Sequence, residues 1–173
     1  MSPAAAYRHF ADKAALLAAV IDADFAELAD ELAGARDAVM RNQDHAPAAR
    51  ATAMVLAFGQ VYVRRAGMHR ERFHLAAATA PLVPGPGEQR VRHLTEEMRA
   101  QLVETGAIHP RMFQSASWTI VPALYGLASL AADGQLDNDH RDEGVRAVVR
   151  TVLRGLGVSD DTLHQMESLV PSE

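Results

Sequence analysis

The chain has 173 residues, a net charge of −5 and no cysteine. It is long enough to bury one substantial core, and 49% hydrophobic residues are typical of a globular protein and not of a disordered one. Without cysteine, disulfides and thiolate chemistry are excluded. The acidic balance disfavours indiscriminate polyanion binding but permits a small local DNA-contacting surface. We expect a cytoplasmic protein that is not membrane-bound, because no signal peptide is present and no stretch approaches the roughly 18 uncharged apolar residues of a membrane span.

The N-terminal part of the sequence predicts two helices. Ser2 and Pro3 favour the start of a short helix that runs to about His9, since a hydroxyl residue caps and proline fits the first turn. Asp12 can cap a second, longer helix that begins at Lys13. Its apolar residues recur at helical spacing, and it either ends at Gly34 or continues to Met40.

The remaining sequence predicts further helices and no strand. A polar connection over 42–47 precedes a long helix, a shorter helix over 71–80 follows, and prolines and glycines mark a loop over 81–87. The next amphipathic helix ends near Gly106.

A helix from about 109 to 134 has two apolar stripes, which places it either centrally in the core or against a partner subunit. Pro122 is expected to kink it, because proline cannot donate to the preceding turn. A last long helix over 139–154 and a short one capped by Ser159 complete an all-α bundle.

The segment 2–17 resembles the end of the helix-turn-helix of tetracycline-repressor (TetR) family transcriptional regulators. The residues that carry the resemblance are Tyr7, His9, Phe10, Lys13, Leu16 and Leu17. The resemblance implies an all-α, TetR-like helical bundle with a truncated helix-turn-helix over 1–33. It also implies a ligand-binding and dimerisation body over 34–173.

The residues expected to contact DNA lie on and beside the short first helix. They are Ser2, Ala4, Ala5, Tyr7, His9 and Lys13. Small side chains let a helix lie deep in the major groove, and a helix N-terminus donates to phosphate. In the family two helices precede the recognition helix and support it. Since the sequence from Met1 includes neither of these two helices, we expect the chain as written to bind operator DNA weakly or not at all.

The resemblance also implies a homodimer and a small apolar effector. The segment 118–136 is similar to a C-terminal subgroup of the family, although Tyr125 replaces its histidine. The last two long helices would then form a four-helix interface through Leu124, Leu127, Leu130, Val145, Val148, Val149 and Val152. Methionine and aromatic residues suit an adaptable pocket wall. The candidates are Met54, Phe58, Tyr62, Met98, Leu102, Met112 and Trp118, and for each of them plain core packing is the alternative.

Together these features predict a transcriptional regulator, by the family's habit a repressor, whose DNA binding an effector relieves by a two-state change. The alternative is a ligand-binding or dimerisation module without DNA binding. We expect no enzymatic activity and no cofactor, because phosphate-binding glycine motifs and nucleophile elbows are absent. Glu71 and His74 form one Glu-x-x-His pair, whereas a di-iron bundle needs two such pairs. A metal site is therefore not expected.

Overall fold

The computed structural model describes residues 10–79 and 84–170, and in these residues every regular element is helical. The all-α prediction is confirmed. The elements are α1 (Lys13–Met40), α2 (Pro47–Met68), α3 (Arg70–Ala78), α4 (Pro86–Glu104), a 3-10 turn (Pro110–Met112), α5 (Phe113–Ala132), α6 (Asn138–Gly155) and α7 (Asp160–Leu169). The short helix predicted up to His9 lies outside the described residues.

Helix α1 begins where the sequence predicts. The carboxylate of Asp12 accepts the backbone N–H of Ala15 at 2.8 Å, which satisfies one of the unpaired donors of the first turn. The helix continues through Gly34 to Met40, so the longer of the two predicted ends is observed. It therefore passes unbroken across position 33, where the sequence places the boundary between the two domains.

Helix α2 lies at the centre of the bundle and contacts all six other α-helices. Small residues allow these helices to approach closely. A β-carbon at Gly59 would lie 2.8 Å from a Leu124 methyl group on α5 and 2.9 Å from a Val145 methyl group on α6. Since this is closer than van der Waals contact, glycine at this position lets α5 and α6 pack against α2.

Helix α4 packs along α1. The last residues of the loop predicted over 81–87 belong to the first turn of this helix. Pro84 and Gly85 are not helical, and Pro86 is the first residue of α4. A β-carbon at Gly87 would lie 2.3 Å from the carbonyl oxygen of Asp22, so only glycine fits where the two helices meet. The helix ends at Glu104, close to the end predicted near Gly106, and Gly106 adopts the left-handed conformation typical of helix terminators, with φ of 72°.

Helix α5 passes Pro122 without a break and turns one stripe into the core: Ala116, Ile120, Leu124 and Ala128. By length and composition alone, the segment Pro110–Ala132 could cross a membrane. The expectation that no stretch approaches such a span was therefore wrong for this segment. The core helix of a soluble protein passes the same test but is mostly buried, whereas a third of this apolar window is buried in the bundle.

Each of the two C-terminal helices begins at a residue whose side chain caps it. Asp137 accepts from the backbone N–H of His140 at 2.9 Å, and Ser159 accepts from that of Thr162 at 3.2 Å. The predicted cap at Ser159 is confirmed, and α6 extends one residue further at each end than the sequence indicated.

Candidate functional site

A cavity of about 530 Å³ lies between α1, α2, α4 and α5. Cavities of this size are typical of small-molecule sites. Its apolar wall consists of Phe25, Leu28, Leu32, Phe58, Tyr62, Val91, Met98, Ile120, Val121 and Leu124, and its polar wall of Glu88, Arg92, Thr95, Glu96, Arg99 and Ser117. The arrangement can enclose an apolar body and offer polar groups to one part of it.

Helical periodicity explains why these side chains share the cavity. On α1, Phe25, Leu28 and Leu32 are separated by three and four residues, so they lie on one face. On α5, Ile120 and Leu124 repeat this spacing. The polar wall belongs mainly to α4, whose lining residues recur every three to four positions along one face of the helix.

The charged groups of the polar wall differ in their partners. Arg92 donates to the carboxylate of Glu88 at 3.1 Å, so these two charges balance each other. Glu96 is exposed to solvent. The Nε of Arg99 is buried and has no hydrogen-bond partner, and no described residue forms an ion pair with this side chain.

Tyr62, with Phe25 and Leu28, also lines a smaller cavity of about 150 Å³, to which Arg65 and Tyr125 contribute. Burial of the phenol raises the pKa of Tyr62 to about 12, and the nearby Tyr125 adds to the shift. The hydroxyl is therefore protonated at neutral pH and can donate a hydrogen bond to a ligand. Phe73 packs edge-on against the ring, with centroids 6.2 Å apart.

The structure brings three of the seven predicted ligand-binding residues together in the larger cavity: Phe58, Tyr62 and Met98. Met54 and Leu102 are fully buried in the core and do not line it. Met112 is half-buried outside it, and Trp118 is 73% exposed. Trp118 lies outside the wall because Ile120, Val121 and Leu124, and not Trp118, face the cavity on α5.

A second polar feature is an ion cluster at the end of α2 nearest α3. The guanidinium of Arg65 is 2.6 Å from a carboxylate oxygen of Asp24, 2.8 Å from one of Glu27 and 2.5 Å from one of Glu31. Arg72 on α3 also contacts Asp24 and Glu27, at 3.3 and 3.0 Å. The cluster therefore joins α1, α2 and α3.

The charges in this cluster shift each other's titration. Burial alone lowers the pKa of Arg65, but hydrogen bonds to Glu27, Asp24 and Glu31 more than offset it and raise this pKa above its ordinary value. The hydrogen bond from Arg65 lowers the pKa of Glu27. Arg65 and Glu27 are therefore both charged at neutral pH, and pairing with carboxylates is how a buried cation is accommodated.

Sequence reasoning missed this cluster. Arg65 is only 6% exposed. A signal was present: Asp24, Glu27 and Glu31 follow one another at helical spacing and so present three carboxylates on one face of α1. Three carboxylates on one face favour a nearby cation, but the spacing does not identify which arginine or lysine supplies it.

Most residues predicted for the dimer interface pack within the single chain. Leu124, Val145 and Val149 are buried against the core, where they leave almost no surface for a second subunit. Leu127, Val148 and Val152 are partly buried, and Leu130 is 41% exposed.

The outward faces of α5 and α6 present several small residues, with the charged side chains of Glu143 and Arg154 beside them on α6. Gly144 on α6 lies beside Leu127 on α5, so the two faces join. The exposed residues of this small-residue face are Thr119, Gly126 and Leu130 on α5 and Ala147, Thr151 and Gly155 on α6. Such a surface allows two helix pairs to approach closely.

The residues predicted to contact DNA lie outside the described part of the chain, with one exception. Lys13 is exposed at the first position of α1. In the Glu-x-x-His pair, His74 Nε2 faces Asp133 Oδ1 at 3.3 Å. Among the described residues no three His, Asp or Glu side chains cluster as metal ligands would.

Comparisons of the chain with protein-family models, with curated proteins and with solved structures found no match. The resemblance to TetR regulators therefore depends on the N-terminal motif.

Proposed function

We propose that this chain is a TetR-like transcriptional regulator, most simply a repressor, whose DNA binding is relieved when a small molecule enters the cavity between α1, α2, α4 and α5. The observation that carries the proposal is that α1, which follows the end of the predicted recognition helix at about His9 after only three residues, supplies Phe25, Leu28 and Leu32 to the cavity wall. A ligand at this wall contacts the helix to which the motif is attached.

The ion cluster supports this coupling. Arg65 and Arg72 hold Asp24 and Glu27 on α1, in the turn that carries Phe25 and beside Leu28. Displacement of α1 by a ligand is therefore transmitted as a movement of a stiff helix and not absorbed by a loop. An effector shifts the equilibrium only by its difference in affinity for the two positions of α1.

Dimerisation through the small-residue face of α5 and α6 completes the proposal. Two subunits place two recognition helices on DNA about one helical turn apart, which a monomer cannot do. The partner is a second copy of this chain, as the four-helix interface implied by the sequence requires.

Gel-shift and footprinting experiments on the DNA upstream of the gene test the function. They compare the chain that starts at Met1 with one extended by any in-frame codons upstream. We expect the extended protein to protect a two-fold symmetric site and the shorter chain to bind weakly. The cavity and the small-residue face also fit a ligand-binding module that dimerises without binding DNA. Failure of both proteins to bind a specific site would favour that module and overturn the regulator.

A further inference from the structure

We propose that the cavity binds an amphipathic monocarboxylate, with its apolar body against α1, α2 and α5 and its carboxylate on Arg99. The inference deepens the proposed function, since it names the chemical class of the effector. It depends on the contrast between Arg99 and the other arginines of α4.

The other two arginines of α4 have carboxylate partners within the chain. Arg90 lies 2.6 Å from Asp30 and Arg92 lies 3.1 Å from Glu88. Arg99 lines the cavity, its Nε is buried, and among the described residues it has neither a hydrogen-bond acceptor nor an ion-pair partner. A buried donor is normally satisfied, so the Nε of Arg99 lacks an acceptor that a ligand can supply.

The charge balance of the wall favours a singly charged group. Glu88 and Arg92 neutralise each other, and Glu96 is exposed, where water screens its charge. Arg99 is then the cation to be matched. A carboxylate carries one negative charge and pairs with guanidinium through two parallel hydrogen bonds. A phosphate monoester carries close to two charges, and pairing with Arg99 alone would leave the second unmatched.

The rest of the cavity requires an apolar body. Phe25, Leu28, Phe58, Met98, Ile120 and Leu124 present no charge, and burial of hydrocarbon against them contributes in proportion to the area covered. The protonated hydroxyl of Tyr62 on α2 and the hydroxyl of Ser117 on α5 are the polar groups on this side, and they can accommodate a neutral oxygen. A molecule with a charge at both ends does not fit.

Isothermal titration calorimetry with decanoate and 1-decanol tests the inference on the full chain. The two probes share a hydrocarbon chain, and only decanoate is charged at neutral pH. We expect decanoate to bind the wild-type protein at least roughly tenfold more tightly. Arg99→Met should weaken decanoate binding by roughly tenfold to a hundredfold and leave decanol binding within about twofold. Arg99→Lys, which keeps the charge without the planar fork, should fall between them.

Arg90→Met is the matched control, because it removes the same charge from the same helix outside the cavity. It should leave both affinities unchanged. Circular dichroism melting checks that each variant folds. If Arg99→Met does not fold, the comparison with Arg99→Lys still tests the inference. Equal affinity of the wild type for the two probes, equal effects of Arg99→Met and Arg90→Met, or no binding of decanoate would overturn the inference. Decanol binding without a preference for decanoate would leave the proposed function standing, whereas Arg99-dependent decanoate binding without any DNA recognition would remove the proposed function alone.

Discussion

The carboxylate of Asp22 on α1 accepts the backbone N–H of Gly87 at 2.8 Å, although 65 residues separate the two in sequence. Gly87 is in the first turn of α4, where backbone donors lack partners within the helix. Asp22 therefore caps α4 from a neighbouring helix, and its negative charge lies at the positive end of the helix dipole. The two helices that form one side of the cavity are fixed together at this point.

Asp22→Ala is expected to lower the free energy of unfolding by about 1 kcal/mol, as removal of a helix cap does. Asp22→Asn retains the acceptor and should recover most of that loss. Urea unfolding followed by circular dichroism measures both variants. If Asp22→Asn is as unstable as Asp22→Ala, the charge and not the cap is what matters.

Gly87→Ala is expected to be more damaging, by about 1–3 kcal/mol, because the added methyl group overpacks the contact between α1 and α4. It would lie 2.3 Å from the Asp22 carbonyl oxygen and 2.7 Å from the Ala26 nitrogen, and backbone atoms cannot turn aside. Gly34→Ala is the control. Gly34 is exposed within α1 with nothing within 4 Å of the new carbon, so this change should stabilise by about 0.5–1 kcal/mol. Thermal melts that show equal effects would contradict the close approach.

Local signals predicted most of the fold, and contacts between distant segments account for what they missed. Asp12 and Ser159 cap helices within three residues of themselves, so the sequence is sufficient to identify them. Asp22 and Arg65 find their partners 34 to 65 residues away, which only the packed structure specifies.

The two apolar stripes of α5 illustrate the same limit for the candidate site. Helical periodicity identified both stripes, but it could not say that the one with Leu124 faces the core while Trp118 faces solvent. That choice follows from Gly59, which lets Leu124 pack against α2.

Arg65→Met is expected to destabilise the protein by about 1.5–3 kcal/mol at neutral pH, because it leaves three carboxylates without their shared cation. Arg90→Met removes an exposed ion pair with Asp30 and should cost less than about 1 kcal/mol. Chemical unfolding of the two variants in the same buffer makes the comparison. Similar losses would mean that burial adds nothing to the value of the Arg65 cluster.

The same cluster predicts a dependence on acid pH. The pKa of Glu27 is lower in the folded protein than its ordinary value of 4.5, so the folded state binds fewer protons and Glu27 contributes stability above that value. This contribution is lost as the pH falls below about 4.5 and through the folded pKa. In Glu27→Gln the acid-induced loss should be smaller, and unfolding measured at several pH values detects the difference.

Tyr62 predicts a loss of stability in alkali. Its pKa is about 12 in the folded protein against 10.0 in the ordinary phenol, so between these values the folded state retains a proton that the unfolded chain has released. Stability should therefore fall as the pH rises through this range, by at most about 1.4 kcal/mol per unit. Tyr62→Phe removes that slope, and its stability relative to wild type should improve between pH 10 and 12. An unchanged slope would place the phenol in contact with water.

The small-residue face of α5 and α6 predicts which substitutions separate the subunits of the proposed dimer. A β-carbon at Gly126 meets nothing within 4 Å in the single chain, and Ala147 is exposed. Gly126→Leu and Ala147→Arg should therefore leave the monomer folded but prevent close approach of a second copy. Sedimentation velocity should show a dimer for wild type and a monomer for both variants.

Trp118→Arg is the control, because it alters the other exposed side of α5. It should leave the dimer intact, since Trp118, although 73% exposed, lies on the stripe that is turned away from α6. A dimer that Trp118→Arg disrupts and Gly126→Leu does not would move the interface to the aromatic side of α5, and a monomeric wild type would remove the symmetry on which two-site DNA recognition depends.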